Sequence, residues 1–336
     1  MSDRALRFLA FSDRGNALAH KLRAALGGTV THAHGAEDFS LSQWTQAAFA
    51  DHCDLVFVGA AGIAVRAIAP FLKSKAEDPA VVVVDERGEF AISLVSGHLG
   101  GANDLARELA ALCGAAPVIT TATDRNGIFS VDAWARTQGC RIPLPHAIKT
   151  VSSRLLAGEE ISLFSALPIE GEKPDHLILT KDTPCDVAVD YFRHEQAVLP
   201  VVPRCCVLGV GCRRGTTSDR LERVFSQFCR DMSLWPDCIL SAASIDLKAQ
   251  EPGLLEFLAA HQWRLHTYSA EELQAVLGDF TPSEFVKSVT GVDNVCQRSA
   301  VLCAGGPLLT EKYAKDGVTL ALAARPLRLD WRWQYG

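Results

Sequence analysis

The sequence predicts an α/β chain in three parts. N-terminal and C-terminal α/β three-layer domains, over residues 1–138 and 204–336, are joined by a small β-rich middle region over residues 139–203. Three observations carry this reading. Short apolar runs alternate with stretches of helical spacing in both outer parts, the pattern of strands and helices stacked in layers. Seven prolines, at 143, 145, 168, 174, 184, 200 and 203, punctuate the middle and shorten its periodicity. With 336 residues, 48% of them hydrophobic and 21% charged, the chain holds core enough for more than one domain.

In the first part, residues 6–11 read as a strand and 12–16 as a turn. Ala17, Leu18, Leu22, Ala25 and Leu26 then recur at helical spacing up to Gly27-Gly28. Residues 55–58 form a short buried strand, and the loop 59–62 leads into a helix through Val65, Ile68 and Ala69. Two strands, 81–84 and 90–95, flank Asp85-Glu-Arg-Gly88 as a hairpin. Ser96-Gly-His-Leu-Gly-Gly-Ala-Asn103 is a glycine-rich loop. It opens a helix whose apolar face is Ala102, Leu105, Ala106, Leu109 and Cys113, ended by Gly114. The next strand, 117–121, runs into the polar Thr120-Thr-Ala-Thr-Asp124. Ligands of such sheets gather at the carboxyl ends of the strands, so the loops 59–62, 96–103 and 120–127 are expected to converge.

The middle region contributes strands at 161–167, 177–180 and 187–189. The last part begins with a strand at 206–210 and the loop Gly211-Cys-Arg-Arg-Gly215. Thr216-x-x-Asp219 reads as a capping box before a helix with the face Leu221, Val224, Phe225 and Phe228. A strand at 239–245 ends at Asp246-Leu-Lys248. A helix at 253–261, a strand at 265–268 and a second capping box, Ser269-x-x-Glu272, follow. Residues 308–312 and 318–323 form a closing hairpin around Lys315-Asp-Gly317.

The formal charge of −6 argues against a general nucleic-acid binder, which would carry a basic face. No apolar run reaches the roughly 18 residues a membrane helix needs. The opening residues carry charges where the apolar core of a signal peptide would run. Eleven cysteines without a CxxC spacing fit small core residues in a reducing cytoplasm. His32-x-His34 with Glu37 and Asp38 offers no further ligand at a metal-site spacing, so no metal site is expected.

The chemistry concentrates in the glycine loop. Glycines let a backbone turn sharply and approach a ligand, and a following helix N-terminus favours anions. His98 suits proton transfer near neutral pH, and Asn103 offers an oriented amide. Gly97, Gly100 and Gly101 shape the turn; Thr120, Thr121 and Thr123 supply hydroxyls, and Asp124 a carboxylate. Gly62 and Arg66 offer a second cradle, in which Arg66 either pairs with a substrate carboxylate or is a surface arginine. Gly211, Arg213, Arg214 and Thr216 suit an anion. Gly209-x-Gly211 lacks the third glycine of a dinucleotide fingerprint, because Arg214 takes that place. Lys248 and Glu251 lie in a charged loop that reads either as part of the same anion site or as a solvated cap.

Gly59-Ala-Ala-Gly-Ile-Ala-Val-Arg-Ala-Ile-Ala-Pro70, Ser96-Gly-His-Leu-Gly-Gly-Ala-Asn103 and Thr120-Thr-Ala-Thr-Asp124 resemble the N-terminal domain of cobalt-precorrin-5A hydrolases. Leu208-Gly-Val-Gly-Cys-Arg-Arg-Gly-Thr216, Asp246-Leu-Lys-Ala-Gln-Glu-Pro-Gly-Leu254 and the stretch at Val295 resemble that family's C-terminal domain, in the same order. The resemblance implies hydrolysis of a δ-lactone on a corrinoid macrocycle, with release of acetaldehyde, in anaerobic cobalamin biosynthesis. It implies no cofactor, the cobalt being carried by the substrate.

Lactone hydrolysis needs a base to activate water and donors for the oxyanion, and on that chemistry His98 is expected to act as base, steered by Asp124. Gly100 and Gly101 N–H groups with Thr121 would serve the oxyanion, and Arg66, Arg213, Arg214 and Lys248 would hold the substrate's carboxylates. The partners that the resemblance implies are the small-molecule corrinoid and the corrin methyltransferases that receive the product; a homodimer fits as well. Where the family pattern has a glutamate, this chain has Gln297. A corrinoid carrier without hydrolase activity and a nucleotide-dependent oxidoreductase stand as alternatives.

Overall fold

A computed structural model describes residues 5–34, 39–74, 77–121 and 127–333. The chain divides into two compact units, Met1–Thr137 with Ser152–Glu159 and Arg332–Gly336, and Gln138–Val151 with Glu160–Trp331.

The first unit runs β1 (Leu6–Ala10), α1 (Asp13–Leu26), β2 (Thr29–His32), α2 (Leu41–Ala50), β3 (Asp54–Val58), α3 (Ala61–Ile68), β4 (Val81–Val84), β5 (Phe90–Val95), α4 (Ala102–Cys113), β6 (Ala116–Val118) and α5 (Val131–Thr137). Its six strands form one sheet in the order β2-β1-β3-β4-β5-β6. Successive residues of a strand point to opposite faces. Thus Phe8, Val56, Val82 and Val84 pack with Leu22 of α1 and Ala106 and Leu109 of α4. Leu9, Leu55, Phe57 and Val83 pack with Ala48 of α2 and Ala64 and Ile68 of α3. A sheet covered on both faces requires wholly apolar strands, which is why 81–84 is four valines.

The β4–β5 hairpin reverses the sheet. Val81 pairs with Val95 and Val84 with Ala91, antiparallel, and β6 then follows the direction of β5. The glycine loop therefore leaves the edge at which β3 and β4 begin, where Ser96 Oγ donates to Asp78 O at 3.0 Å. The loop 59–62 leaves the opposite edge, beyond Val58. The expected convergence of all three loops is overturned by this one reversed strand.

Two local readings also change. The expected turn at 12–16 is the start of α1, because Ser12 caps it by accepting from Gly15 N at 3.1 Å. The strand expected to reach Thr121 stops at Val118.

The second unit holds two five-stranded sheets. The first comprises β7 (Cys140–Arg141), β8 (Ile161–Ser165), β10 (Leu177–Thr180), β11 (Cys185–Val189) and β12 (Ala197–Pro203), in the order β10-β8-β11-β12-β7. A two-residue strand, β9 (Ile169–Glu170), lies outside it, and helix α6 (Ile148–Leu156) divides between the units. Strand β12, not anticipated, contains Pro200 and Pro203. Its outer neighbour β7 pairs with only two of its residues, so β12 is nearly an edge, where missing N–H donors are tolerated.

The other sheet comprises β13 (Cys206–Cys212), β14 (Ile239–Ile245), β15 (Arg264–Tyr268), β16 (Tyr313–Lys315) and β17 (Val318–Ala324), in the order β15-β14-β13-β17-β16. A short β18 (Leu329–Asp330) pairs with β9. Helices α7 (Ser218–Asp231) and α8 (Pro252–Ala260) cover one face through Phe225, Phe228, Leu254 and Phe257. Helices α9 (Ala270–Gln274) and α10 (Glu284–Thr290) precede α11 (Cys296–Ala304), which covers the other face through Ala300 and Ala304. The Ser269–Glu272 capping box forms as expected.

The Thr216–Asp219 box does not form. Thr217 takes the cap position and Thr216 Oγ1 donates instead to Arg213 O at 2.8 Å. The closing hairpin pairs β16 with β17 rather than 308–312, of which Leu308 makes a single bridge to Ala323.

All eleven cysteines are free, and burial pushes the Cys140 and Cys229 thiols up to about 12, as befits core residues. Among the described residues no helix is long and apolar enough to cross a membrane.

Candidate active site

The glycine loop is shaped by its own backbone. Ser96, at φ 58°, and Gly101, at φ 87°, both take the left-handed conformation. Gly101 N donates to His98 O at 3.0 Å, and Ala102 N and Asn103 N donate back to Ser96 O and Gly97 O at 3.1 and 3.0 Å. The glycines are steric requirements. A Cβ on Gly100 would strike Ser96, and one on Gly97 would lie 2.8 Å from Asn103 Oδ1. Behind Gly101 lies Arg136, which pairs with Asp104; Asp104 also receives Arg107 at 2.8 Å.

Around His98 the structure assembles a set that sequence reading only half anticipated. Ser130 Oγ lies 3.2 Å and Asp132 Oδ1 3.3 Å from His98 Nδ1, and Ser130 Oγ donates to Asp132 Oδ1 at 2.7 Å. The side chain of Asp132 is 5% exposed and that of His98 15%, so the imidazole is held yet still meets solvent. Ser130 sits at the start of α5 and accepts from Ala133 N at 3.4 Å. A Ser-x-Asp before a helix looks like an ordinary cap in sequence, which is why the pair was missed. On the loop's other side Asn103 Nδ2 donates to Thr121 Oγ1 at 3.1 Å.

His98, Asn103, Thr121, Gly97, Gly100 and Gly101 are thus together, with Thr120 adjacent in the chain. Thr123 and Asp124 lie outside the described residues. Gly62 and Arg66 sit at the far edge of the same sheet. One expected donor is also removed, since Gly101 N–H is taken by the His98 carbonyl.

In the second unit, the 213–216 and 248–251 loops meet at the carboxyl edges of β13 and β14. Glu251 accepts from Gly215 N at 2.6 Å and pairs with Lys248 at 2.8 Å, both side chains being largely buried. Lys248 donating to it, with help from Gly215 N–H, holds the Glu251 carboxyl below the ordinary range despite burial. A lowered carboxyl stabilises the fold above its unfolded-state pKa, and that stability is lost as pH falls through the folded value. Glu251→Gln is therefore expected to cost about 2 kcal/mol at pH 7. Thermal unfolding across pH should show the difference from wild type shrinking toward zero below about pH 4.

Arg213 and Arg214 are exposed and make no ion pair among the described residues. The two glycines of Gly209-x-Gly211 serve packing. A Cβ on Gly209 would overlap Cys296 O, and one on Gly211 would strike Thr319 Oγ1. The nucleotide reading loses its physical basis with them.

Gln297, standing in place of the expected glutamate, is 4% exposed. Its Oε1 accepts from Thr281 N at 2.9 Å and Asn294 Nδ2 at 2.5 Å, while Asn294 Oδ1 accepts from Gln297 N at 2.9 Å. A carboxylate would offer the same acceptor, so the position is a structural clasp. Gln297→Leu should destabilise by about 1 kcal/mol in urea unfolding, by taking the acceptor from one N–H of the buried Asn294 amide and from Thr281 N–H, while Gln297→Glu leaves turnover within about twofold.

Three family models match the chain in succession: Cobalamin synthesis G N-terminal over residues 43–124, Cobalamin biosynthesis central region over 129–201, and Cobalamin synthesis G C-terminus over 206–323. A protein of Salmonella typhimurium named cobalt-precorrin-5A hydrolase is 36% identical over 301 residues, covering 85% of this chain and 86% of its own. One of the same name from Priestia megaterium is 32% identical over 307 residues, covering 83% and 80%.

Proposed function

From membership of the cobalt-precorrin-5A hydrolase family, to which this chain belongs, we propose that it opens the δ-lactone of cobalt-precorrin-5A and releases acetaldehyde, with His98 as the base. It is a hydrolase of cobalamin biosynthesis. The observation that supports His98 is its place on the glycine loop, mostly buried, with Ser130 and Asp132 behind one ring nitrogen.

His98 takes a proton from water, and the hydroxide adds to the lactone carbonyl. Gly100 N–H and the Thr121 hydroxyl serve the oxyanion, Gly101 N–H being engaged. Thr121 accepts from Asn103, which directs its own proton elsewhere. Collapse breaks the ring C–O bond, giving a carboxylate and a hydroxyl on the carbon that carries the methyl group. Loss of that hydroxyl proton lets the adjacent C–C bond break. Its electron pair passes to the conjugated macrocycle, and acetaldehyde departs.

Arg213 and Arg214 are suited to binding carboxylates in general, and Lys248 with Glu251 keeps their loop in place. The cobalt enters with the substrate, so these steps call on no group resident in the protein. The reaction takes place in the cytoplasm, and the contracted ring passes on to corrin methyltransferases. Incubation with cobalt-precorrin-5A and an acetaldehyde assay tests the reading. Binding without acetaldehyde would make the chain a carrier.

A further inference from the structure

The hydrogen bonds behind His98 determine which of its nitrogens is basic. Ser130 has one hydroxyl proton, and its 2.7 Å contact with the Asp132 carboxylate takes it. Toward His98 Nδ1, at 3.2 Å, Ser130 therefore presents a lone pair, and Asp132 at 3.3 Å presents only lone pairs. Two acceptors facing one ring nitrogen require that nitrogen to carry the proton. Among the described residues near this edge, Asp104 pairs with Arg107 and Arg136, while Asp54 and Asp78 accept from the backbone N–H groups of Ala80 and Lys73.

We infer that Asp132, with Ser130 as the bridge, is a positioning residue that fixes His98 as the Nδ1–H tautomer, leaving Nε2 as the proton acceptor. Asp132 touches no reacting atom. It also stabilises the imidazolium formed when Nε2 takes the proton of water, as an orienting carboxylate does behind a catalytic histidine. The inference rests on the reading of His98 as base.

The first test needs no variant. In protein labelled with ¹⁵N-histidine, the His98 signals, identified by their loss in His98→Gln, should show a protonated Nδ1 and an unprotonated Nε2 at pH 8. A proton on Nε2 would overturn the inference.

The second test is Asp132→Asn, checked for folding by its unfolding temperature. Turnover should drop at least about 100-fold, and the acid limb of the kcat/KM profile should move down by about one pH unit, because the imidazolium loses its carboxylate. Ser130→Ala, which keeps the direct Asp132 contact, should lose less than about tenfold. An Asp132→Asn enzyme with an unmoved acid limb would mean that the residue only supports the fold. If His98→Gln still releases acetaldehyde, the underlying reading fails. If it is inactive while Nε2 carries the proton, only the tautomer assignment fails.

Discussion

With alanine at position 98, the protein is expected to bind cobalt-precorrin-5A as before and to release acetaldehyde at least about 1,000-fold more slowly. The side chain is the one imidazole on the glycine loop, and its Nδ1 is already engaged by Ser130 and Asp132. Removing it deletes the proton acceptor, while the backbone hydrogen bonds from Gly101, Ala102 and Asn103 N–H groups keep the loop's shape. The measurement pairs corrinoid titration with single-turnover acetaldehyde detection. Unchanged release would remove His98 from the chemistry. Loss of binding with loss of turnover would instead make it a contact of the macrocycle. Because residues of such a unit act together, combining His98→Ala with Asp132→Asn should cost little more than His98→Ala alone.

The second large effect is on stability. Gly209 lies mid-strand in β13, where the chain of α11 crosses so closely that any Cβ would overlap the Cys296 carbonyl oxygen and lie 2.9 Å from Ala300 Cβ. The α11 helix covers this face through Ala300 and Ala304 against Val207, Ala243 and Ala323, all small or β-branched residues that allow the approach. Gly209→Ala should push the helix off the sheet and cost at least about 3 kcal/mol. That is a sizeable share of the 5–15 kcal/mol that holds a typical domain. Calorimetry should show the unfolding temperature falling by roughly 6–12 °C. An unchanged temperature with lost ligand binding would return this glycine to the role of a phosphate-loop residue.

Much of the layered architecture was legible because both outer sheets are covered on two faces, so their strands are short apolar runs that stand out between helical patterns. The middle sheet was harder. Pro200 and Pro203 disguise β12, and only its position beside a two-residue strand makes prolines tolerable there. At the site, His98, Asn103 and Thr121 were legible from glycine density and polar strand ends. Asp132 was not. It lies 34 positions along the chain from His98, and nothing local separates it from a helix-start carboxylate. The misplacement of Arg66 has a different origin. The hairpin at Asp85–Gly88 is visible in the sequence, but only the pairing of β5 with β4 and of β6 with β5 shows that both later strands run back toward the edge opposite Arg66.

That turned strand makes the first unit's sheet an insulating spacer. Four residue pairs, about 13 Å of rigid β-structure, separate the histidine-bearing margin from the margin that carries Gly62 and Arg66. Strands whose side chains are packed on both faces lie between the two margins, so a substitution at Arg66 is expected to leave the hydrogen bonds of the glycine loop as they are.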